Sequence, residues 1–308
     1  MLRQCRGGDG VSGRRGRRAA AGSIGSRCGR WRLSAADRVS GGQAGAGSGV
    51  MNLCGKAARL VRVCRNAAAN CFGQPVVVLT YHRVAVLRDD PEQLAVSPDR
   101  FRRQLEFLRS NYPILRFDEP WGKPERMSFV ITFDDGYADN LTAALPILRE
   151  FDCPAAFFIC AGAIGSEREF PWDGGGTPQR KEFRTLRPDE LRELAADPLA
   201  AIGSHTVSHP RLSGLSPEEQ RREIAGGHRM LEELIGRRLT VFSYPFGNYR
   251  DFNADSVAVC RECGFFRAAA NYPGQYHPGS DPLAVPRHLV RDWDADEFQS
   301  RMFRFKYL

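Results

Sequence analysis

From residue 75 onward the chain alternates apolar runs with amphipathic ones, and this alternation constrains the fold more than any other feature. The runs "VVVLTY" (76–81), "MSFVITF" (127–133), "PAAFFIC" (154–160) and "LAAIGSH" (199–205) have the length and composition of buried strands. Between them lie helical patterns. "SPDRFRRQLEFLRSNY" opens with Ser97 as N-cap and Pro98 at the first helical position. "YADNLTAALPILREF" and "RPDELRELAAD" follow, and "SPEEQRREIAGGHRMLEELIG" starts with a capping box, Ser216 with Glu219, and stops at Gly236. Further strands are expected in "RLTVFSYPFG", "FFRAAA" and "AVPRHLV", and Asp294 and Glu297 cap a C-terminal helix. Repeated strand–helix units require a parallel sheet, open or closed into a barrel, and such folds build their sites from the residues that follow the strands.

The N-terminal region has a different character. Residues 1–70 hold 14 Lys/Arg against 2 Asp/Glu, whereas the rest of the chain holds 30 against 34. The overall charge of +8 therefore belongs to a tail, and the folded part is mildly acidic, which removes the case for a nucleic-acid-binding domain. Residues 1–50 carry 13 of the 31 glycines and too little apolar surface to offset chain entropy, so this basic tail is expected to be disordered. Met51 follows at once and is a candidate start. Residues 51–73 place Leu53, Ala57, Leu60, Val61 and Cys64 on one helical face, with Lys56, Arg59, Arg62 and Arg65 beside it. Such a segment could touch a membrane surface through residues 51–70, or pack on the outside of the domain. No stretch is long and apolar enough for a transmembrane span, and no signal peptide is visible, which favours a cytoplasmic or membrane-peripheral location. Cys260 and Cys263 form a lone CxxC at a helix end before Gly264, read as a buried pair ahead of zinc or redox chemistry.

Three strand ends carry chemistry. "FVITFDDG" ends in two adjacent carboxylates, Asp134 and Asp135, which repel each other unless a cation makes their proximity worthwhile. "SHTVSH" places His205 and His209 after another strand, and two imidazoles with one carboxylate leave open positions on a zinc-like ion. "VFSYPFG" is the third. In a parallel fold all three ends share one rim.

"TFDDG", "HTVSH" and "YPFG", in that order, resemble the first three motifs of the polysaccharide deacetylase family, the NodB-homology domain of carbohydrate esterase family 4. "LTYHRV" upstream and "LAVPRHLV" downstream resemble flanking elements of a bacterial branch, so the resemblance spans roughly residues 74–300. It implies a distorted, incomplete (β/α) barrel for a catalytic domain over 74–308. It also implies a metal triad of Asp135, His205 and His209 holding a divalent ion, Zn2+ before Co2+ or Ni2+. Asp134 would be the general base on a metal-bound water, and a backbone N–H near Phe246, beside Tyr244, would stabilise the oxyanion. The family's usual C-terminal histidine acid has no match here. His82 is the candidate, with His288 the runner-up, while His228 and His277 read as structural or solvated. Ser243 stands where the family often carries a base-orienting Arg, and Arg287 could supply that group from another strand end or face outward on an edge strand. Trp172 and Asp173 could wall the sugar site, although a loop Trp also packs on its own domain.

The implied activity is hydrolysis of N-acetyl groups on N-acetylhexosamine units of a polysaccharide or oligosaccharide, an N-acetylated glycan being the partner. The alternatives are a catalytically silent carbohydrate-binding protein on the same scaffold, and a deacylase of another amide or ester. Retention of Asp134 favours an enzyme, because a binder has no use for a free base.

Overall fold

The computed structural model describes residues 73–166, 170–173 and 184–306, together with 61, 63, 64, 66, 68 and 70. The expectations for residues 1–50 and for most of 51–73 lie outside the described residues. The six described positions from 61 to 70 are helical, and Asn70 Nδ2 donates to the carbonyl of Lys306 over 2.8 Å.

Chain order runs β1 (Val76–Tyr81), β2 (Arg83–Val84), β3 (Ala95–Val96), α1 (Pro98–Asn111) and β4 (Ser128–Phe133). Next come a π-helical turn (Asn140–Ala144), α2 (Leu145–Glu150), β5 (Ala155–Ile159), α3 (Pro188–Ala196), β6 (Ala200–Ser204) and α4 (Pro217–Ile235). The order closes with β7 (Val241–Ser243), α5 (Ala254–Glu262), β8 (Arg267–Ala269), β9 (Arg287–Leu289) and α6 (Ala295–Phe305). Seven strands form one sheet in the order β8-β7-β6-β5-β4-β1-β9, every pairing parallel, while β2 and β3 pair apart. The two outer strands nearly meet. Val285, just ahead of β9, bridges Ala269 in parallel, giving its N–H to Ala268 and accepting from Ala270. The sheet is thereby a nearly closed barrel: the strand–helix alternation anticipated the parallel sheet, and the family resemblance its incomplete closure.

Both faces of the strands are covered, so the sequence reads as continuous apolar runs rather than strict alternation. The alternation survives in three dimensions. Val77, Leu79, Phe129, Ile131 and Phe133 join a large core that includes residues of α1, α2, α3 and α6. Val76, Val78, Val130, Ala156, Phe158 and Val241 form a second core inside the barrel. Gly203 on β6 is needed there, because a Cβ would come within 2.5 Å of the Phe158 ring.

Local signals hold with two differences. Ser216 and Glu219 form the capping box of α4, which ends at Gly236 with φ 71°. Ser97 starts α1 but makes no side-chain cap; its Oγ and N–H both go to the Asp292 carboxylate. The helix expected from Tyr137 opens instead with the wider π turn. Pro146 has no N–H to give to the preceding turn, and Asn140 spends its Nδ2 on the His82 carbonyl.

Candidate metal centre and active site

Period-two geometry places the site. Counting inward positions along each strand and one step past its end gives Val76, Val78, Thr80 and His82 on β1, and Val130, Thr132 and Asp134 on β4. It gives Ala201, Gly203 and His205 on β6, Ser243 on β7, and Arg287 and Leu289 on β9. The C-terminal ends of different strands thus deliver side chains to one mouth. There a cavity of about 300 Å3 is lined by His82, Asp134, Asp135, His205 and His209, with Trp172 and Phe246 as an aromatic side.

Asp135 Oδ1 lies 3.6 Å from His205 Nε2 and 3.5 Å from His209 Nε2, and the three donor atoms fall within 4.8 Å of one another. These edges are too long for hydrogen bonds. They are close to the roughly 3.3 Å between ligands expected around a tetrahedral ion bound at about 2.0–2.1 Å. Both Asp135 oxygens are buried without a hydrogen-bond partner, which a carboxylate tolerates poorly unless a cation satisfies it. Burial first, then the charge of Asp134, push the Asp135 carboxyl well above its usual range. The carbonyl of Ser243 accepts from His205 Nδ1 at 2.7 Å, fixing the tautomer that leaves Nε2 as a ligand. Burial lowers the pKa of both His205 and His209, so both rest neutral, as ligands must. The residues present fit a divalent ion of the zinc type.

Holding these groups together costs backbone strain. Asp135, Thr206, His209 and Phe246 are all non-glycine residues at positive φ, between 58° and 74°. Such positions cost about 1–3 kcal/mol each and persist only where neighbours over-determine them. Glu223 of α4 does so for the histidine turn, accepting from the N–H groups of Val207 and Ser208 and from Ser208 Oγ over 2.6–3.0 Å. Gly227 explains a glycine pair inside a 19-residue helix: a Cβ there would meet the Thr206 carbonyl carbon at 2.6 Å.

Asp134 lives in the opposite environment from its neighbour. Arg287 grips it from β9 with two bonds, NH1 to Oδ1 at 2.8 Å and NH2 to Oδ2 at 2.7 Å. The same guanidinium donates to Ala270 O, Thr132 Oγ1 and Ser243 Oγ, and is buried. Burial alone would raise the Asp134 pKa; the Arg287 charge and hydrogen bonds outweigh it and hold the group below the ordinary carboxylate range. His82 is pushed down to about 4, mainly by burial and against the pull of Asp134, and its Nδ1 is buried without a partner.

The structure does not gather every residue singled out in the sequence. Tyr244 faces away from the mouth: it stacks on Phe252 at 4.0 Å and its hydroxyl donates to Leu283 O. The inward position is its neighbour Ser243, as period two dictates. Asp173 is buried beside the cavity wall, where its carboxylate accepts from Tyr137 Oη and Phe170 N–H. His288 points to the outer face of β9 and stacks on Phe305 at 3.8 Å, leaving His82 as the histidine at the mouth other than the two candidate ligands. Trp172 does line the cavity, edge-on to His209 at 4.8 Å, and its Nε1 donates to Tyr137 Oη. Arg211 and Asn271 line it too and carried no sequence signal; Arg211 lies 4.0 Å over the Phe246 ring and pairs with Asp251.

Fold and site together define a parallel (β/α) barrel with an Asp–His–His donor set at its C-terminal mouth. Residues 122–267, just under half of the chain, match the family model described as polysaccharide deacetylase. Asp134, Asp135, His205, His209 and Phe246 lie within the matched range, whereas His82 and Arg287 fall outside it. The chain is 26% identical over 204 residues to YxkH of Bacillus subtilis, provisionally named a polysaccharide deacetylase, covering 64% of each. It is 31% identical over 142 residues to the poly-beta-1,6-N-acetyl-D-glucosamine N-deacetylase of Escherichia coli, covering 42% of this chain and 20% of that one. The chain thus spans less than two thirds of these relatives' lengths. Among solved structures, IcaB from Ammonifex degensii superposes with a TM-score of 0.62 at 25% identity, over 76% of this chain and 98% of that one. Among the described residues no helix is long and apolar enough to cross a membrane.

Proposed function

We propose that this protein removes N-acetyl groups from N-acetylhexosamine units of a polysaccharide or oligosaccharide, with a divalent ion, zinc foremost, held by Asp135, His205 and His209. One observation carries the reading: adjacent aspartates in opposite environments. Asp135 is stripped of hydrogen bonds beside two neutral imidazoles, and Asp134 is clamped in its ionised form by Arg287. A pure sugar binder needs the first arrangement no more than the second. When bound, the ion would polarise the acetamide carbonyl and make water more acidic.

The chain's own groups do the rest. Asp134 accepts the proton of the attacking water, and Arg287 with Ser243 keeps its carboxylate aimed. The N–H of Phe246, in its strained backbone at the cavity wall, is assigned to the developing oxyanion. His82 delivers a proton to the departing nitrogen. Because burial keeps His82 neutral above pH about 4, the proton it delivers is the one Asp134 takes from water, and passing it on restores the Asp134 charge that favours protonated His82. Trp172 and Phe246 offer apolar surface to the sugar. The names of the E. coli and Staphylococcus aureus relatives, poly-beta-1,6-N-acetyl-D-glucosamine N-deacetylases, support this substrate class.

The test is acetate release from N-acetylglucosamine oligomers by protein stripped of metal and then resupplied with zinc. Asp134→Asn is expected to keep metal and lose turnover by at least about 100-fold, and His205→Ala to lose both. Full activity in Asp134→Asn would remove the base assignment; metal bound with no release from any oligomer would shift the reading to another acyl substrate or a silent binder.

A further inference from the structure

Tyr249 is among the most exposed large aromatic side chains described, at 70%, and it directly follows Asn248, which lines the cavity of the candidate site. Its ring stacks on that of Tyr272, centroids 4.0 Å apart and planes 14° from parallel. The residues just before each tyrosine, Asn248 and Asn271, line the catalytic cavity. The two loops are tied together beneath the rings: Asn271 N–H donates to Gly247 O at 2.8 Å, and a Cβ on Gly247 would sit 2.7 Å from the Asn271 nitrogen. Tyr272 is fixed in turn, its hydroxyl donating to Ala284 O at 2.8 Å and its carbonyl accepting from Arg287 N–H at 3.1 Å.

The pair is therefore a rigid double layer with one ring face used internally and the other turned to solvent. An exposed aromatic face held in place loses little freedom when a ligand covers it, which is how rigid tyrosines contribute to binding. The cavity, at about 300 Å3, is at the small end for ligand sites, so a polymer that presents one sugar to Asp134 has to continue across the rim. A pyranose ring has an apolar C–H face and a polar edge, the chemistry that an amphipathic aromatic side chain matches.

We propose that the outer face of Tyr249, backed by Tyr272, is a stacking platform for a pyranose ring of the polymer outside the cavity, so that this chain reads oligomers longer than the sugar it acts on. The inference rests on the proposed function for the class of ligand, and it adds where along the polymer affinity is gained. A contact made equally in the bound substrate and in the transition state lowers KM without raising kcat, and a platform outside the cavity is a contact of that kind.

The experiment compares the unaltered protein with Tyr249→Ala and Tyr249→Phe, using β-1,6-linked and β-1,4-linked N-acetylglucosamine pentamers and the N-acetylglucosamine monomer. Binding is followed by calorimetry and turnover by acetate release. Tyr249→Ala is expected to weaken pentamer binding, and to raise KM for it, by roughly three- to tenfold. Its kcat should stay within about twofold, and binding of the monomer should not change. Tyr249→Phe should match the unaltered protein, because the ring face and not the hydroxyl makes the contact. Equal pentamer affinity in Tyr249→Ala and the unaltered protein would overturn the platform, as would equal losses on monomer and pentamer. Protein that binds pentamer but releases no acetate would refute the proposed reaction while the platform is still read from the binding ratio. Protein that binds neither pentamer would sink both.

Discussion

Arg287, the first residue of β9, reaches the ends of three other strands, β4, β7 and β8, and its fork geometry decides how Asp134 is held. A bidentate pair fixes both the position and the plane of the Asp134 carboxylate, which a single ammonium cannot. Arg287→Lys is accordingly expected to lower acetate release by at least about tenfold while metal affinity, measured by chelator competition, stays within about twofold. A matching loss of metal would mean that the guanidinium supports the ligands rather than the base. At this scale much of the site is legible in the sequence. Asp134, Asp135, His205 and His209 announce themselves because carboxylates and imidazoles directly after apolar runs have no structural reason to be there. Tyr244 and Asp173 mislead: a motif names a neighbourhood, the pleat turns Ser243 and not Tyr244 inward, and Asp173, in a turn, is held by Tyr137 and Phe170. Arg211 and Asn271 are unreadable: each is an ordinary polar loop residue until the barrel brings its loop to the mouth.

At the scale of elements, α4 is the scaffold of the histidine turn. Its glycine pair is unfavourable by about 1 kcal/mol per residue relative to alanine in an isolated helix. Close approach to Thr206 and Val207 accounts for Gly227. Gly227→Ala should therefore destabilise the protein by about 1–3 kcal/mol in urea unfolding, against helix propensity, and weaken metal binding by displacing His209. An unchanged or higher stability would show that the turn can yield. The helical pattern of the sequence gives no reason for the glycine pair, because the partner turn lies about 20 residues away and meets the helix only after folding. The capping box, Gly236 and the strand runs were legible because they depend on neighbours in the chain. The π turn before α2 depends on a contact with His82, 58 residues distant, and was not.

For the molecule as a whole, the proposed metal site sets proton against ion at one carboxyl. Asp135 has its folded pKa raised by burial and by Asp134, so in metal-free protein it contributes stability that is fully present below its unfolded value, near pH 4, and is lost as pH rises through the folded value. Asp134 shifts the other way; its contribution is present above the unfolded value and fades only in stronger acid, so it adds no slope near neutrality. The rise in Tm on adding zinc should thus grow with pH, and metal affinity should rise with it, as a bound ion displaces the proton. Thermal unfolding with and without zinc at pH 5, 6, 7 and 8 checks this, and a pH-independent rise would mean that no proton competes with the ion at Asp135 in this range.

The barrel seam lends the Arg287–Asp134 pair a further significance, for descent. Losing Asp134 alone strands a guanidinium in the interior, and losing Arg287 alone strands a carboxylate; breaking a buried pair from one side costs about 3–5 kcal/mol, a large part of a typical domain's stability. A lineage drifting toward a silent sugar binder would meet that barrier at its first step from either direction. Selection for a folded chain therefore protects Asp134, the proposed base, even where selection for turnover has lapsed, and descendants that have lost it should have lost or re-paired the arginine as well.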